Sequence, residues 1–406
     1  MRIVFLAPTI PFPPDNGGKA RAAAVALSLA ARHDVVLAAF AEPGVPASSV
    51  ADVAHRFREL KVFPRPARAT RRRRWLSASP SDVHQLSSPE MAAWVAETVA
   101  RFQPDVLLTG DPALTPYVHA YDDRVRVLDY VCVATLQFER MKAMAPPAER
   151  FLWSFRTLKF AAFLRRAARH YDLCVVNSEE DRQALLAASP GWARVEVVPN
   201  GLDLASYPLG LARPEPNTLV FHGALNYGPN LDAVRFLVAD ILPRVRSAIP
   251  EARLLVTGRK PPNGSAPQGD GVVYTGYVPD IRPVIAGAWA CPVALRTGAG
   301  GARFKVLEAL ALGTPVISTA IGYEGLAVTD GVDVLRAEDP DAFAAQTVRV
   351  LQSPALRARL AEGGRRLIER EYDWAVLGAR LAGKLTDLVS SRTVGTSATA
   401  GAREAR

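Results

Sequence analysis

The chain of 406 residues has room for about two domains, and 49% hydrophobic with 22% charged residues is the balance of a globular protein, which excludes a disordered or fibrous one. A net charge of +9 favours an acidic partner: nucleotide phosphates, anionic lipid or nucleic acid. Cys132, Cys174 and Cys291 lie far apart in apolar runs without metal-ligand spacing, so they read as small buried hydrophobes in a reducing compartment.

Arg2–Ala7 predicts a first buried strand, Lys19–Ala31 a helix, and His33–Phe40 a second strand. This is the opening of a doubly wound α/β fold. The Gly-x-Gly-x-x-Gly dinucleotide fingerprint is absent. Gly17 and Gly18 stand at the helix start, where they either admit a phosphate or sugar or make a tight turn. Met1–Leu6 runs into Pro8, Pro11, Pro13 and Pro14, and Ala22–Ala31 is too short to span a bilayer. The expected location is therefore cytosolic, at most peripheral to a membrane. Arg65, Arg68 and Arg71 to Arg74 precede Trp75 and Leu76. Such a cluster suits an anionic membrane surface or a solvated loop. No nucleic-acid motif accompanies it, so no nucleic acid is expected.

Further strands are predicted at Asp105–Thr109 and Val125–Tyr130. Asp129 ends the second, where a carboxylate points into a ligand crevice or caps a turn. Phe151–Arg169 predicts a long, strongly basic helix with Phe151, Phe155, Leu158 and Ala162 on one face, which reads as a core helix with a solvated face, with membrane contact as the second reading. Ser178-Glu-Glu-Asp181 is a capping signal for the next helix. Residues 1–204 form the first predicted domain, and the proline-bearing stretch 205–217 is the linker. A second αβ domain covers 218–368, a helix 369–389, and the small polar tail 390–406 is expected to be disordered.

In the second domain Leu219–Gly223 predicts a strand entering a glycine turn at Gly223, and Tyr277 lies in the turn Gly276–Asp280. His222 reads as a buried strand-end histidine. The densest signal runs from Ala290 to Gly325. Ala290–Leu295 is an uncharged strand, Gly298, Gly300 and Gly301 make a loop, and Phe304, Leu307, Leu310 and Ala311 recur at helical spacing. Gly313 stops the helix and Pro315 opens the next strand. A glycine loop feeding a helix N-terminus is an anion site, because free N–H groups and the helix dipole both favour negative charge. Arg303 and Lys305 in the first turn oppose that dipole and cost stability unless an anion is expected. Glu308, one turn on, is within reach of a sugar hydroxyl. The alternative is an ordinary βαβ unit with two solvated bases. Asp339-Pro-Asp341 mimics a metal motif but reads as a helix cap with proline in the first turn, so no metal is expected.

The run Arg-x-Lys-Val-Leu-Glu-Ala-Leu-Ala-x-Gly-Thr-Pro-Val-Ile-Ser-Thr, followed by Gly-Tyr-Glu-Gly, resembles the donor-site signature of glycosyltransferase family 4, a GT-B family. More narrowly it resembles the bacterial exopolysaccharide sugar transferases, as does Phe-His-Gly-Ala-Leu-Asn-Tyr-x-Pro-Asn at 221–230. The resemblance implies two Rossmann-like domains facing a cleft, with the C-terminal helix crossing back to the first. It implies that Arg303 and Lys305 hold a nucleotide diphosphate, that Glu308 holds the ribose, that the turn at Tyr277 borders the base, and that Gly17 and Gly18 face the cleft. An acid at Asp129 would lie near the acceptor, with Cys132 where a second acid usually stands. Gly300 stands where the broader family carries a second glutamate on the donor sugar. The segment around Gly223 lacks the usual Arg and Lys, which leaves diphosphate charge to Arg303 and Lys305. The implied reaction is sugar transfer from a nucleotide sugar, with retention, to a glycan or lipid-linked acceptor, without cofactor or metal. A sugar-nucleotide epimerase on the same fold and a non-catalytic nucleotide- or nucleic-acid-binding module are the competing readings.

Overall fold

The computed structural model describes residues 1–404 except 43, 45–46, 67–79, 132, 260–265 and 298–302. The chain divides into two compact units, Met1–Pro199 with Leu377–Arg406, and Asn200–Gly298 with Ala302–Val376. The arginine cluster at 71–74, Cys132 and the loop glycines Gly298, Gly300 and Gly301 fall outside the described residues.

The first unit is built on β1 (Arg2–Ala7), β2 (Asp34–Phe40), β3 (Glu59–Phe63), β4 (Val106–Thr109), β5 (Val125–Asp129), β6 (Leu173–Val176) and β7 (Val195–Val197). They form a parallel sheet in the order β3-β2-β1-β4-β5-β6-β7. The second unit holds β8 (Glu215–His222), β9 (Arg253–Thr257), β10 (Val272–Gly276), β11 (Ala288–Val293), β12 (Val316–Ser318) and β13 (Val334–Arg336). Their order is β10-β9-β8-β11-β12-β13, again parallel. Each sheet reverses direction of growth once, between β1 and β4 and between β8 and β11. Those two switch points are where ligands enter such sheets, beyond the carboxyl ends of the strands.

The sequence explains the layering. Helices cover both faces of a parallel sheet, so its central strands are apolar throughout. Ile3 to Ala7 of β1 and Val35 to Phe40 of β2 are buried without interruption. At the sheet edge β10 alternates instead between partly buried and exposed residues. β3 is a strand the sequence pattern does not announce, because two of the five residues in its Glu-Leu-Lys-Val-Phe are charged and it too lies at an edge.

One further expectation is corrected. In the helix Pro147–Ala168 the buried residues are Phe160, Ala161, Leu164, Ala167 and Ala168. The stripe predicted to face the core points outward: Phe151 is 81% exposed and Leu158 66%. Both faces of this helix carry apolar residues, so periodicity finds the helix without choosing its inner side. At the C-terminus a helix runs from Trp374 to Glu404. From Leu377 onward this helix belongs to the first unit. Among the described residues no helix is long and apolar enough to cross a membrane.

Inside the first unit, the helix Gly17–Ala30 carries Arg21, which is fully buried. Its Nη2 stands 2.6 Å from Asp129 Oδ1, its Nε donates to both carboxylate oxygens at 3.0 Å, and its Nη1 donates to the Val198 carbonyl at 2.8 Å. Asp129 is only 2% exposed, so it ties the first helix to the end of β5 and does not offer an open carboxylate to a crevice. Removing one partner of a buried pair strands the other charge in a dry place. Asp129→Ala should therefore lose about 3–5 kcal/mol of stability, read from the urea midpoint at constant slope. A loss within ~0.5 kcal/mol would mean that Arg21 finds equal compensation without this carboxylate.

Candidate active site

The second unit gathers its polar side chains at the carboxyl ends of β8 and β11. β8 ends at His222, and Gly223 follows with φ of +140°, a conformation that side-chain-bearing residues avoid. A Cβ on Gly223 would sit 2.8 Å from Asn230 Nδ2 and 3.4 Å from Lys305 Nζ. Gly258 comes closer still to the same turn, since its Cβ would lie 2.2 Å from the Gly223 carbonyl oxygen. Glycine at both positions lets the backbone make room for one lysine.

Lys305 lies in the first turn of the helix Phe304–Ala311, and among the described residues no side-chain capping bond is made at its N-cap residue, Arg303. Its ammonium donates to Asn230 Oδ1 at 2.8 Å and lies 5.0 Å from the centre of the Phe221 ring. The Asn230 amide is oriented in turn by its own donation to the Ala224 carbonyl at 2.9 Å. Burial, reinforced by the nearby Arg303 charge, pushes the Lys305 pKa down to about 8. Arg303 occupies the N-cap position of the same helix and is 8% exposed; its Nη2 stands 2.8 Å from Glu324 Oε2.

Glu308 is clamped on both oxygens. Oε2 lies 3.1 Å from His222 Nε2, and Oε1 accepts from the Tyr207 hydroxyl at 3.1 Å. Burial first, and then the Glu308 charge, raises the Tyr207 pKa above its ordinary value, so the phenol stays a donor. Tyr277 projects from its turn, 68% exposed, with the Arg259 guanidinium 5.9 Å from its ring centre.

The structure thus brings Gly223, Lys305, Arg303 and Glu308 together and leaves Tyr277 on the rim of the same unit. Asn230, Tyr207 and Glu324 complete the cluster and were not singled out from the sequence. Asn230 and Glu324 do sit inside the quoted motifs, whereas Tyr207 lies in the stretch read as linker. In the first unit Gly17 and Gly18 open the helix Gly17–Ala30 behind the Asn16 cap, whose Oδ1 accepts from Lys19 N at 3.1 Å. Asp339 caps the helix Pro340–Gln352 by accepting from Ala342 N at 2.8 Å, and Asp341 pairs with Arg244. Among the described residues no group of three or more His, Cys, Asp or Glu is placed to hold a metal ion.

Two family models match, and between them they cover most of the chain: Glycosyltransferase Family 4 at residues 16–206 and Glycosyl transferases group 1 at residues 216–353. Glycogen synthase of Mycobacterium tuberculosis is 26% identical over 211 residues, which are 48% of this chain and 48% of that protein. The chain spans about half the length of the curated relatives it matches. Sucrose-phosphate synthase from Thermosynechococcus elongatus superposes with a TM-score of 0.68 at 17% identity, over 96% of this chain and 100% of that one. Anabaena Alr3699/HepE in complex with UDP-glucose does so with a TM-score of 0.63 at 15% identity, over 95% and 100%. At such identities the solved structures share the fold. Two parallel, doubly wound sheets of this order define the GT-B class. The chain belongs to glycosyltransferase family 4.

The lysine gives the site a pH signature. Unfolded, Lys305 keeps its proton up to about its ordinary value of 10.5; folded, only to about 8. Between these values the unfolded state binds more protons, so stability rises with pH across that window. Below it the whole cost of the buried charge is present. Urea midpoints taken from pH 7 to pH 10 should rise for the wild type relative to Lys305→Met. Parallel curves would mean that Lys305 keeps an ordinary pKa.

Proposed function

We propose that this protein transfers a sugar from a nucleoside-diphosphate sugar to a polysaccharide or lipid-linked acceptor, with retention, in cell-surface or exopolysaccharide synthesis. The observation that carries the reading is the half-buried Lys305 ammonium in the first turn of a helix, next to Gly223 and with its pKa lowered by burial. Such a place is unfavourable for a cation alone and favourable for a cation with an anion. A diphosphate supplies that anion, and its charge grows as the bond to the sugar breaks. Lys305, the helix amides and Arg303, oriented by Glu324, meet the charge where it develops, without reorganising. Glu308, fixed by His222 and Tyr207, presents a carboxylate for ribose hydroxyls. Tyr277 offers a ring face beside the base. Gly300 leaves the donor sugar without the family's usual glutamate, so the donor is identified by trial. Retention and the exopolysaccharide setting are carried by the family resemblance. A lipid-linked acceptor would place the work at a membrane surface, and the clustered cations make a divalent metal unnecessary.

A panel of nucleotide sugars, read by release of free nucleoside diphosphate with and without added glycan acceptor, tests the reaction class. Acceptor-dependent release from at least one donor is expected; isomerisation of the donor sugar without release would make the protein an epimerase. Lys305→Ala should slow transfer roughly tenfold to a hundredfold, the worth of a charge-assisted hydrogen bond of ~1.5–3 kcal/mol, with the fold intact by circular dichroism. Unchanged rates for Lys305→Ala and Arg303→Ala together would remove the diphosphate from this site. Excess chelator should leave turnover unaltered; activity lost to chelator and restored by manganese would overturn the metal-free reading.

A further inference from the structure

Glu308 accepts from the protein once on each oxygen. The Tyr207 hydroxyl donates to Oε1 at 3.1 Å, and His222 Nε2 lies 3.1 Å from Oε2. A carboxylate only accepts, so the proton of the second bond sits on the histidine nitrogen. One protein donor on each oxygen fixes the plane of the carboxylate. Each oxygen has room for about two hydrogen bonds, so each keeps a place for one more. The group is therefore set to receive two donors side by side, and the neighbouring hydroxyls of a ribose are such a pair.

His222 stands at the end of β8 and is held by the sheet. Tyr207 has no such frame. It follows the short turn Leu204–Ser206 and precedes a stretch in which Leu209 is 56% and Leu211 39% exposed. A phenol on such a segment aims a carboxylate only if its own main chain is held. Two arginines from other elements hold it, on successive carbonyls. Arg282, at the start of the helix Arg282–Ala286, donates from Nη1 to the Ser206 carbonyl at 2.6 Å. Asp280 aligns that arginine by accepting from its Nε at 2.8 Å and its Nη2 at 2.9 Å. Arg365, on the helix Pro354–Leu367, donates from Nη1 to the Tyr207 carbonyl at 2.7 Å and to the Ala311 carbonyl at 2.6 Å. Ala311 ends the helix that carries Glu308. A cation is favourable at any helix C-terminus, which accounts for the Ala311 bond and not for the Tyr207 one. One guanidinium thus ties the residue that aims Glu308 to the helix on which Glu308 stands. We infer that Tyr207, held by Arg365, is a positioning residue that aims Glu308 at both hydroxyls of a ribose and so makes the site select ribonucleoside over deoxyribonucleoside diphosphates. A deoxyribose presents one hydroxyl and leaves one aimed oxygen without its donor, on a side chain only 19% exposed. A site built to bond a hydroxyl strongly rejects the analogue that lacks it. This inference rests on the reading that Glu308 receives the nucleotide ribose, and it names the class of nucleotide that reading admits.

The test titrates the full chain with UDP, ADP and GDP, and with the deoxyribonucleotide of each, by calorimetry. The ribonucleotide bound most tightly should exceed its deoxy counterpart in affinity by roughly tenfold to a hundredfold. Tyr207→Phe keeps the ring and removes the donor, and should lower that ratio about fivefold. Arg365→Met should lower it too, and should add little to Tyr207→Phe in the double variant, because the arginine acts through the phenol. Arg365→Lys keeps a cationic donor and should recover part of the ratio. An arginine with a structural role alone would lower the urea midpoint and leave the ratio where it was. A wild-type ratio near one, or a wild-type ratio kept by Tyr207→Phe, would overturn the inference. A ratio that falls in Tyr207→Phe and holds in folded Arg365→Met would overturn the part given to Arg365. Failure of every nucleoside diphosphate to bind would remove the proposed reaction and this inference with it. Tight binding without ribose discrimination would overturn this inference alone and leave the reaction standing.

Discussion

One desolvated ammonium organises the second unit. Lys305 is half-buried, and the groups around its ammonium stand in for part of its water. Asn230 offers an amide oxygen at 2.8 Å, Phe221 offers a ring face, and the chain at Gly223 gives up its side chain to leave room. None of these carries a full negative charge, and burial outweighs them, so the lysine gives up its proton more readily than a solvated one. The Glu308 charge acts on the lysine in the opposite sense and does not outweigh burial.

The two units solve the same topological problem with different chemistry at the strand ends. In the second, the cation is held by neutral groups and stays available. In the first, Arg21 and Asp129 satisfy one another below the surface. A charged side chain near the carboxyl ends of a parallel sheet is thus held by neutral groups in one setting and is a fastener in the other. What separates the cases is whether a counter-ion already lies within about 3 Å, and no reading of Asp129 alone supplies that. Arg21 lies 108 positions away in the chain.

What was legible follows from range. β11, the helix Phe304–Ala311 and β12 could be read because an uncharged run, a stop at Gly313 and a proline opening all act within a few residues. Lys305 and Glu308 stood out for the same reason. Their partners did not: Asn230 is 75 residues from Lys305, His222 is 86 from Glu308, and Tyr207 is 101 from Glu308. Pairings of that length are made by the strand order, which periodicity does not encode. The linker reading of 205–217 failed to flag Tyr207 because prolines nearby signal a turn and say nothing of what an adjacent phenol reaches. The helix Pro147–Ala168 shows the complementary limit: an element can be certain while its inward face is not, when both faces are apolar.

The C-terminal helix has a consequence for how the protein can be taken apart. Residues from Leu377 onward belong with Met1–Pro199, and the Thr386 hydroxyl lies 3.9 Å from the Met1 sulfur. The first unit is therefore discontinuous in sequence, and its Gly378 packs onto Ser28 so closely that a Cβ there would lie 2.5 Å from the serine Cβ. The second unit is a nearly continuous insert between Pro199 and Leu377. Expressing residues 1–199 alone would strip the partners of Leu377, Leu381 and Leu385, all of them buried, and expose the seat they fill. The insert, in contrast, can be cut out at two junctions and exchanged as a cassette, because Leu202 and Asp373, near its two ends, pair with each other. Chimeras built at Pro199 and Leu377 would exchange the whole second unit without cutting through either sheet.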